Sequence, residues 1–452
     1  MELTREYISE LKAVIETKDQ KTALAMMDEL HPADIAEIYG ELSIDESKYL
    51  YMILDPEVAS DVIVELEEDD RERFFRALPA EEIATQFINN MDSDDAADVI
   101  ADLDEDVKQE VLRHIADVEQ AGDIVDLLSY DEDTAGGLMA KELIKVNAGW
   151  SLTTCLREMR KQAEEVDELY YIYVVNDDNI FLGIVSLKAM LIASGSTVVE
   201  DIYEKEVRSV RTDTPSEEVA QIMEKYDLVV LPVVDSIGRL MGRITIDDIV
   251  DVIRDEAEKD YQMASGISSD VETTDSPLRL SRARLPWLII GLLGGILVAG
   301  LISQFEGDIK LNPEMAFFIP LIAAMAGNVG IQSSAIIVQG LASNSLGLES
   351  TFRKLVKEFL VAVMNGLILA ALLLAYNLIM KHGLALTYTV SISLFVVIIF
   401  AAIFGTLIPL VLNKMKLDPA LATGPFITTT NDIMGLFIYF LMGRILYDIF
   451  VI

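Results

Sequence analysis

Five apolar stretches crowd the C-terminal part of this chain, at roughly 285 to 303, 315 to 341, 359 to 380, 388 to 412 and 421 to 450. Each is near or above the ~20 residues needed to cross the hydrocarbon of a bilayer. Backbone in lipid must satisfy its own hydrogen bonds, so the stretches are predicted to be five membrane-spanning helices. Basic residues orient them. Arg279, Arg282 and Arg284 precede the first span, Arg353, Lys354 and Lys357 lie between the second and third, and Lys414 and Lys416 between the fourth and fifth. The opposite loops hold Lys310 and Lys381, so the N-terminus is expected in the cytosol and the C-terminus outside a cell membrane crossed several times.

The preceding region is of another kind. From Ser281 onward there are 10 Lys/Arg against 8 Asp/Glu, and residues 1 to 280 hold 25 against 67, so nearly all of the net charge of -40 sits there. Such a field repels nucleic acid and attracts cations, and its carboxylates push apart the surfaces they line. A nucleic-acid partner is therefore excluded, and a positive counter-ion is expected to hold the region compact. Cys155 is the single cysteine, and His31, His114 and His382 are far apart, which argues against a thiolate or imidazole zinc site. No phosphate loop or nucleophile elbow occurs, and no enzyme is expected. The opening MELTREYISELKAV lacks the apolar core of a signal peptide.

Residues 1 to 130 read as short amphipathic helices, with Pro32, Pro56 and Pro79 at helix starts. A loose repeat, Ala33-Asp34-Ile35, Ser60-Asp61-Val62-Ile63 and Ala97-Asp98-Val99-Ile100, predicts a superhelix of similar hairpins. Most of its carboxylates are read as solvated outer faces. From about 138 the rhythm changes to strand, helix, strand, turn, strand, helix, and occurs twice, at about 138 to 198 and 202 to 256. Tyr173-Val174-Val175 answers Pro232-Val233-Val234, and Gly183-Ile184-Val185-Ser186 answers Gly242-Arg243-Ile244-Thr245 at one constant offset. Thr214-Pro215-Ser216-Glu217 reads as a capping box.

This duplication resembles a tandem pair of CBS domains, a regulatory module that often binds adenine nucleotides. The resemblance implies a ribose-phosphate site at Thr245 and Asp248; the first copy has Ser186 and Ala189 instead, so at most one such site per chain is expected. Thr245 acting only as a helix cap is the plainer alternative. A helix starting near 247 and crowded with acid then leads to the membrane, its apolar positions Ile249, Val252, Ile253 and Ala257 at helical spacing. The expected layout is a multi-domain membrane protein: an all-α acidic helical domain (1–130), an α/β tandem CBS pair (131–256), an acidic connecting helix and linker (257–280), and a five-helix transmembrane domain (281–452).

An unpaired charge in hydrocarbon costs at least ~2.5 kcal/mol, so polar residues inside the spans tend to line pathways. Asp432, counted from Leu421, is expected near the bilayer midplane, with Thr428 and Gly435 on its helix face, Asn431 beside it, and Pro425 freeing a carbonyl one turn back. Oxygen ligands without sulfur or imidazole suit a hard cation such as Mg2+, which keeps much of its hydration shell. A two-fold dimer would bring two Asp432 carboxylates to the axis, balancing one divalent ion. In the second span Asn328, Gln332 and Gln339 form a polar stripe, read first as interhelical bonding and second as pore lining.

Taken in order, an acidic helical domain, a CBS pair, an acidic connecting helix and five spans ending in Pro-x-x-Thr-Thr-Thr-x-Asp resemble the MgtE family of magnesium channels over essentially the full length. The resemblance implies a homodimer with its pore on the two-fold axis, an ion held at Asp432, and closure when cytosolic Mg2+ binds between acidic surfaces. The matching acidic positions are Asp227, Asp248 and Asp251, Asp260 on the connecting helix, and Asp418, through which movement would reach the fifth span. In the helical domain the run Asp92-Ser93-Asp94-Asp95 is the counterpart, with Asp94 and Asp95 as candidates. Asn431 and the GNVGIQ segment depart from the family pattern and bear on selectivity or rate. Two other readings stand beside this one: a proton-coupled or nucleotide-sensing transporter of another ion, and a membrane-anchored scaffold, against which Asp432 argues.

Overall fold

The computed structural model describes residues 3–28, 30–163, 166, 169–268, 271, 275–342, 351–422 and 424–450, so the linker positions 269, 270 and 272–274 lie outside the described residues. It forms two compact units, Met1–Arg254 and Asp255–Ile452.

The first unit opens with helices α1 (Arg5–Glu16), α2 (Gln20–Met27), α3 (Pro32–Ile38), α4 (Ile44–Ile53), α5 (Pro56–Val64), α6 (Glu68–Phe75), α7 (Ala80–Gln86), α8 (Ser93–Ala101), α9 (Glu105–His114) and α10 (Val118–Leu127). Local chemistry sets their starts. Pro32 and Pro56 occupy first-turn positions, Asp55 accepts from the Glu57 N–H, and Ser43 with Glu46 closes a capping box. The repeat has a packing cause: in α3, α5 and α8 its apolar residues Ile35, Val62, Ile63, Val99 and Ile100 are buried. Tyr51, Phe74 and Phe87 form an aromatic centre, with ring centroids 5.2 Å apart for Tyr51–Phe74 and 5.8 Å for Phe74–Phe87.

Strands β1 (Ile144–Asn147), β2 (Ile172–Val175) and β3 (Phe181–Val185) build one sheet, with α11 (Leu152–Gln162) and α12 (Leu187–Ile192) in the same copy. The second sheet has β4 (Val210–Arg211), β5 (Val230–Val234) and β6 (Leu240–Thr245), with α13 (Ser216–Tyr226) between β4 and β5. Each sheet pairs its first two strands parallel and its last two antiparallel. Each also has an irregularity at the same place, after Val174 and after Val233, so the duplication read from the sequence extends to register. Thr214 departs from its expected role. Helix α13 starts at Ser216, and the Thr214 hydroxyl accepts from the Arg211 N–H, closing a turn before the helix.

The segment before β1 belongs to the second sheet rather than the first. Ala135 N donates to Thr214 O at 2.7 Å, Gly136 N to Thr212 O at 3.0 Å, and Ala140 exchanges backbone bonds of 2.8 and 2.9 Å with Arg243. One apolar core consequently runs from the helical domain through Ala135 and Met139 into Val219, Leu231, Ile244 and Ile249 of the second copy. Helix α14 (Ile246–Ala264) begins in that core with Ile249 and carries the acidic residues from Asp247 to Asp260.

Among the described residues, the second unit contains five helices long and apolar enough to cross a membrane. They are α15 (Pro277–Gln304), then, after the short α16 (Glu306–Leu311), α17 (Ile319–Ala342), α18 (Thr351–Ile379), α19 (Leu384–Lys414) and α20 (Pro425–Phe450). Val390, Leu394, Val397, Ile398 and Ala401 of α19 are buried with Ile322 and Ala326 of α17 and Leu436 and Tyr439 of α20. The Tyr439 hydroxyl of α20 donates to Met315 O, just before α17, at 2.8 Å. In contrast, α15 shows Leu288, Leu292 and Leu297 on its surface, each more than half exposed.

Candidate functional site

Two clusters of oxygen donors stand out, one in each unit. In the first unit, helix α8 begins at Ser93 without a bond from its own N-cap Asp92. Glu142, far along the chain, takes that place: Ser93 N donates to Glu142 Oε1 at 3.1 Å and Ser93 Oγ to Oε2 at 2.8 Å, while Lys141 N donates to Ser93 Oγ at 2.9 Å. An anion at a helix N-terminus is favourable, and this one ties the helical domain to the CBS pair. It also gathers charge. Carboxylate oxygens of Asp92, Asp94 and Glu142 lie within 4.8 Å of one another.

Burial, followed by Asp95, Asp248, Asp92 and Glu142, raises the Asp94 carboxyl well above the usual range. Burial and then Asp248 and Asp92 push Asp95 up to about 7, and burial pushes Asp248 up to about 6 against the opposing bond from Thr245. Like charges this close disfavour one another's ionisation. Arg243 approaches the cluster, with Nη2 3.9 Å from Asp92 and its guanidinium over the Tyr170 ring at 5.5 Å. The donor set is carboxylate oxygen alone, which fits a hard divalent cation.

In the second unit, α20 starts at Pro425, later than the apolar stretch suggested, because the residues before it form a 3₁₀ turn, Pro419–Ala422. Pro425 therefore opens the helix and does not kink it. The Thr428 hydroxyl donates to Gly424 O at 3.2 Å and Pro425 O at 3.1 Å. Asp432 comes two turns into the helix, facing α17 at Gly327: a Cβ added there would lie 3.4 Å from Asp432 Oδ1 and 3.6 Å from the Thr428 methyl. One turn on, a Cβ on Gly330 would lie 1.7 Å from Asn431 Nδ2, and one on Gly405 would lie 2.4 Å from Gly330 O. Glycines thus let α17, α19 and α20 approach at the level of Asp432.

The structure sorts the expected pathway residues. Asp432 and Thr428 are half-buried, whereas Asn431 is fully buried against Gly330 and Gly435 is buried against Ala326 and Val397. Neither face of Asn431 or Gly435 is open in the protomer. Asn328 and Gln332 are exposed on α17, a polar stripe on an otherwise apolar surface.

Among the other acids, Thr245 N and Oγ1 both donate to Asp248 Oδ2, at 3.1 and 2.7 Å, so the two residues are joined to each other at the start of α14. Asp251 is exposed and pairs with Arg254 at 3.3 Å; Asp227 is exposed in a left-handed cap after α13; Asp260 is half-buried on α14. Asp418 accepts from Ala420 N at 2.7 Å, capping the turn before α20. The end of the connecting helix also approaches the start of α20: a Cβ on Gly424, which has φ +59°, would meet Ala264 O at 2.6 Å, and one on Gly266 would meet Pro425 Cγ at 2.7 Å. Asp92 lies in the acidic run singled out from the sequence, whereas Glu142 was missed, since nothing local in Lys141-Glu142-Leu143 marks a residue whose partner lies in another domain.

A fold of acidic helical domain, paired β-α units and five spans defines a multi-pass membrane protein, and comparison with known proteins gives its class. Residues 319–442 match the model of a divalent cation transporter family, 30–133 the MgtE intracellular N domain, and 135–195 and 199–255 the CBS domain. A magnesium transporter MgtE of Thermus thermophilus is 32% identical over 97% of this chain and 98% of its own. One of Bacillus subtilis is 32% identical over 95% of each. The chain belongs to the MgtE family. A solved cytosolic domain of the Mg2+ channel MgtE, in complex with ATP, is 31% identical with a TM-score of 0.51, covering 54% of this chain and 99% of that one.

Proposed function

We propose that this protein carries Mg2+ across a cell membrane, as a homodimer with its N-terminus in the cytosol and its C-terminus outside. The observation that carries the reading is Asp432: a carboxylate two turns inside a spanning helix, with Thr428 beside it and only glycine opposite. An uncompensated carboxylate at that depth is expensive unless it serves a cation. A second protomer laid on the exposed Asn328 and Gln332 stripe would cover polar groups that lipid cannot satisfy and would line the passage with neutral oxygens. Asp432 supplies the charge that offsets partial loss of the ion's water.

The acidic cluster around Asp94 serves as the sensor. When cytosolic Mg2+ is scarce, Asp92, Asp94, Asp95, Glu142 and Asp248 repel and the helical domain separates from the CBS pair; when it is abundant, the ion bridges them. Asp227, Asp251, Asp260 and Asp418 extend the same regulation along the connecting helix. A ligand shifts such an equilibrium only through its preference for one state, which a site assembled from two domains provides. The shift reaches the pore through Ala264 and Gly266 against Gly424 and Pro425, at the start of the helix that holds Asp432. ATP binds the CBS pair near Thr245 and Asp248 and tunes the sensor.

Flux into proteoliposomes tests the reading, with Mg2+, Mn2+, Co2+ and Ca2+ compared. Mg2+ flux is expected from the wild type and none from Asp432→Ala at unchanged oligomeric state. Undiminished flux in that variant overturns the assignment of the ion site.

A further inference from the structure

Glu358 is a carboxylate that the pathway described above does not use. It lies in the second turn of α18, and its Oε1 accepts a hydrogen bond of 2.5 Å from Ser333 Oγ on α17. Ser333 is only 4% exposed and Glu358 is half-buried, so the bond lies at the edge of the bundle. A hydroxyl bond to a carboxylate belongs to the charge-assisted class.

Its place on α17 matters. Ser333 follows Gly327 by six residues, which is roughly 9 Å along the axis and about 120° around it. The tether therefore grips α17 from a different side than the one facing Asp432. Between the two lie Gly330, which seats Asn431 and Gly405, and the exposed Asn328 and Gln332. Turning α17 by one residue would swing all of these by about 100° and would place a side chain where Gly327 now admits Asp432. The buried Ile322 and Ala326 hold α17 on the side of α19 and α20, and the Ser333–Glu358 bond adds a polar anchor on the side of α18.

We propose that Glu358 is a positioning residue for ion passage: by holding Ser333 it sets the rotation of α17, and so the face that α17 presents to Asp432 and the pathway. This inference rests on the reading of Asp432 as the ion site.

Proteoliposome flux of Mg2+ and Co2+ in Ser333→Ala, Glu358→Ala, Glu358→Gln and the double alanine variant tests it, with Asp432→Ala alongside. Ser333→Ala and Glu358→Ala should each lower maximal Mg2+ flux about tenfold, the scale of one charge-assisted hydrogen bond, and alter the Mg2+ to Co2+ ratio. Half-saturation should move by less than about twofold, since the ion's own ligand is intact. Glu358→Gln keeps an acceptor and should retain flux within about twofold, and the double variant should be no worse than either single one. Wild-type flux and ion ratio in both alanine variants would overturn the proposal, as would a glutamine variant as impaired as alanine or multiplying losses in the double. Ser333→Ala removes one oxygen from an intact helix, so it carries the test where Glu358→Ala is not produced. Flux through Asp432→Ala would instead sink the ion-site reading; a silent Asp432→Ala beside normal tether variants would sink only this inference.

Discussion

The two units treat carboxylates in opposite ways. In the first, Asp92, Asp94 and Asp95 at the start of α8 meet Glu142 before β1 and Asp248 of α14 and crowd one another, so assembling them is unfavourable until something neutralises them. In the second, Asp432 faces glycine on a neighbouring helix, with its helix neighbours buried and fixed. On the proposed reading, the first arrangement makes docking conditional on a cation, and the second offers a lone carboxylate on a spanning helix to the passing ion. If the proposed roles hold, charge crowding goes with regulation and charge isolation with transport within one chain.

The comparison breaks most sharply at Asp432. Asp432→Asn keeps size and hydrogen bonding but not charge, and Mg2+ flux should fall below detection if the isolated charge is what offsets dehydration. Flux near wild type in the asparagine variant would mean that shape alone suffices.

Crowding is tested by Asp94→Asn with Asp248→Asn. Two effects oppose each other: repulsion is relieved, and ion ligands are lost. Limited proteolysis of the full chain should show protection that no longer depends on Mg2+, and the concentration closing the channel should rise at least about tenfold, within the usual range of coupling energies. Wild-type dependence in both measurements would reduce the cluster to a solvated face.

Protons should compete with the ion. Because Asp95 and Asp248 are raised to about 7 and about 6 from an ordinary 3.8, the docked state without metal is penalised as pH rises through that window, and the penalty is complete above it. Between about pH 8 and about pH 5.5, protection without Mg2+ should grow and apparent Mg2+ affinity should fall by about tenfold per coupled proton. Proteolysis and calorimetry across that range measure both, and a flat profile would show that the cluster binds no protons on docking.

The smallest effect is expected at Thr245. Removing its hydroxyl deletes the 2.7 Å bond to Asp248, and Thr245→Ala should weaken ATP binding to the intact protein by about fivefold in calorimetry. Unchanged binding would leave Thr245 as a helix cap only.

The elements governed by periodicity were legible from residues alone. The five spans, the acidic connecting helix and the doubled β-α unit follow from hydropathy, spacing and a constant offset, because each is a local consequence of which side chains recur. Asp432 was legible too, since a charge in an apolar run is conspicuous wherever the helix lies. Local chemistry was less secure at boundaries: Pro425 opens α20, and Thr214 closes a turn rather than capping a helix, because neighbouring turns competed for the same groups. What tertiary structure alone decided is which distant residues meet. Glu142 caps a helix that begins at Ser93, the segment before β1 joins the second sheet, and Ser333 holds Glu358. These pairings are set by how apolar faces stack and how closely glycines let helices approach, and neither quantity is carried by the spacing of residues along the chain.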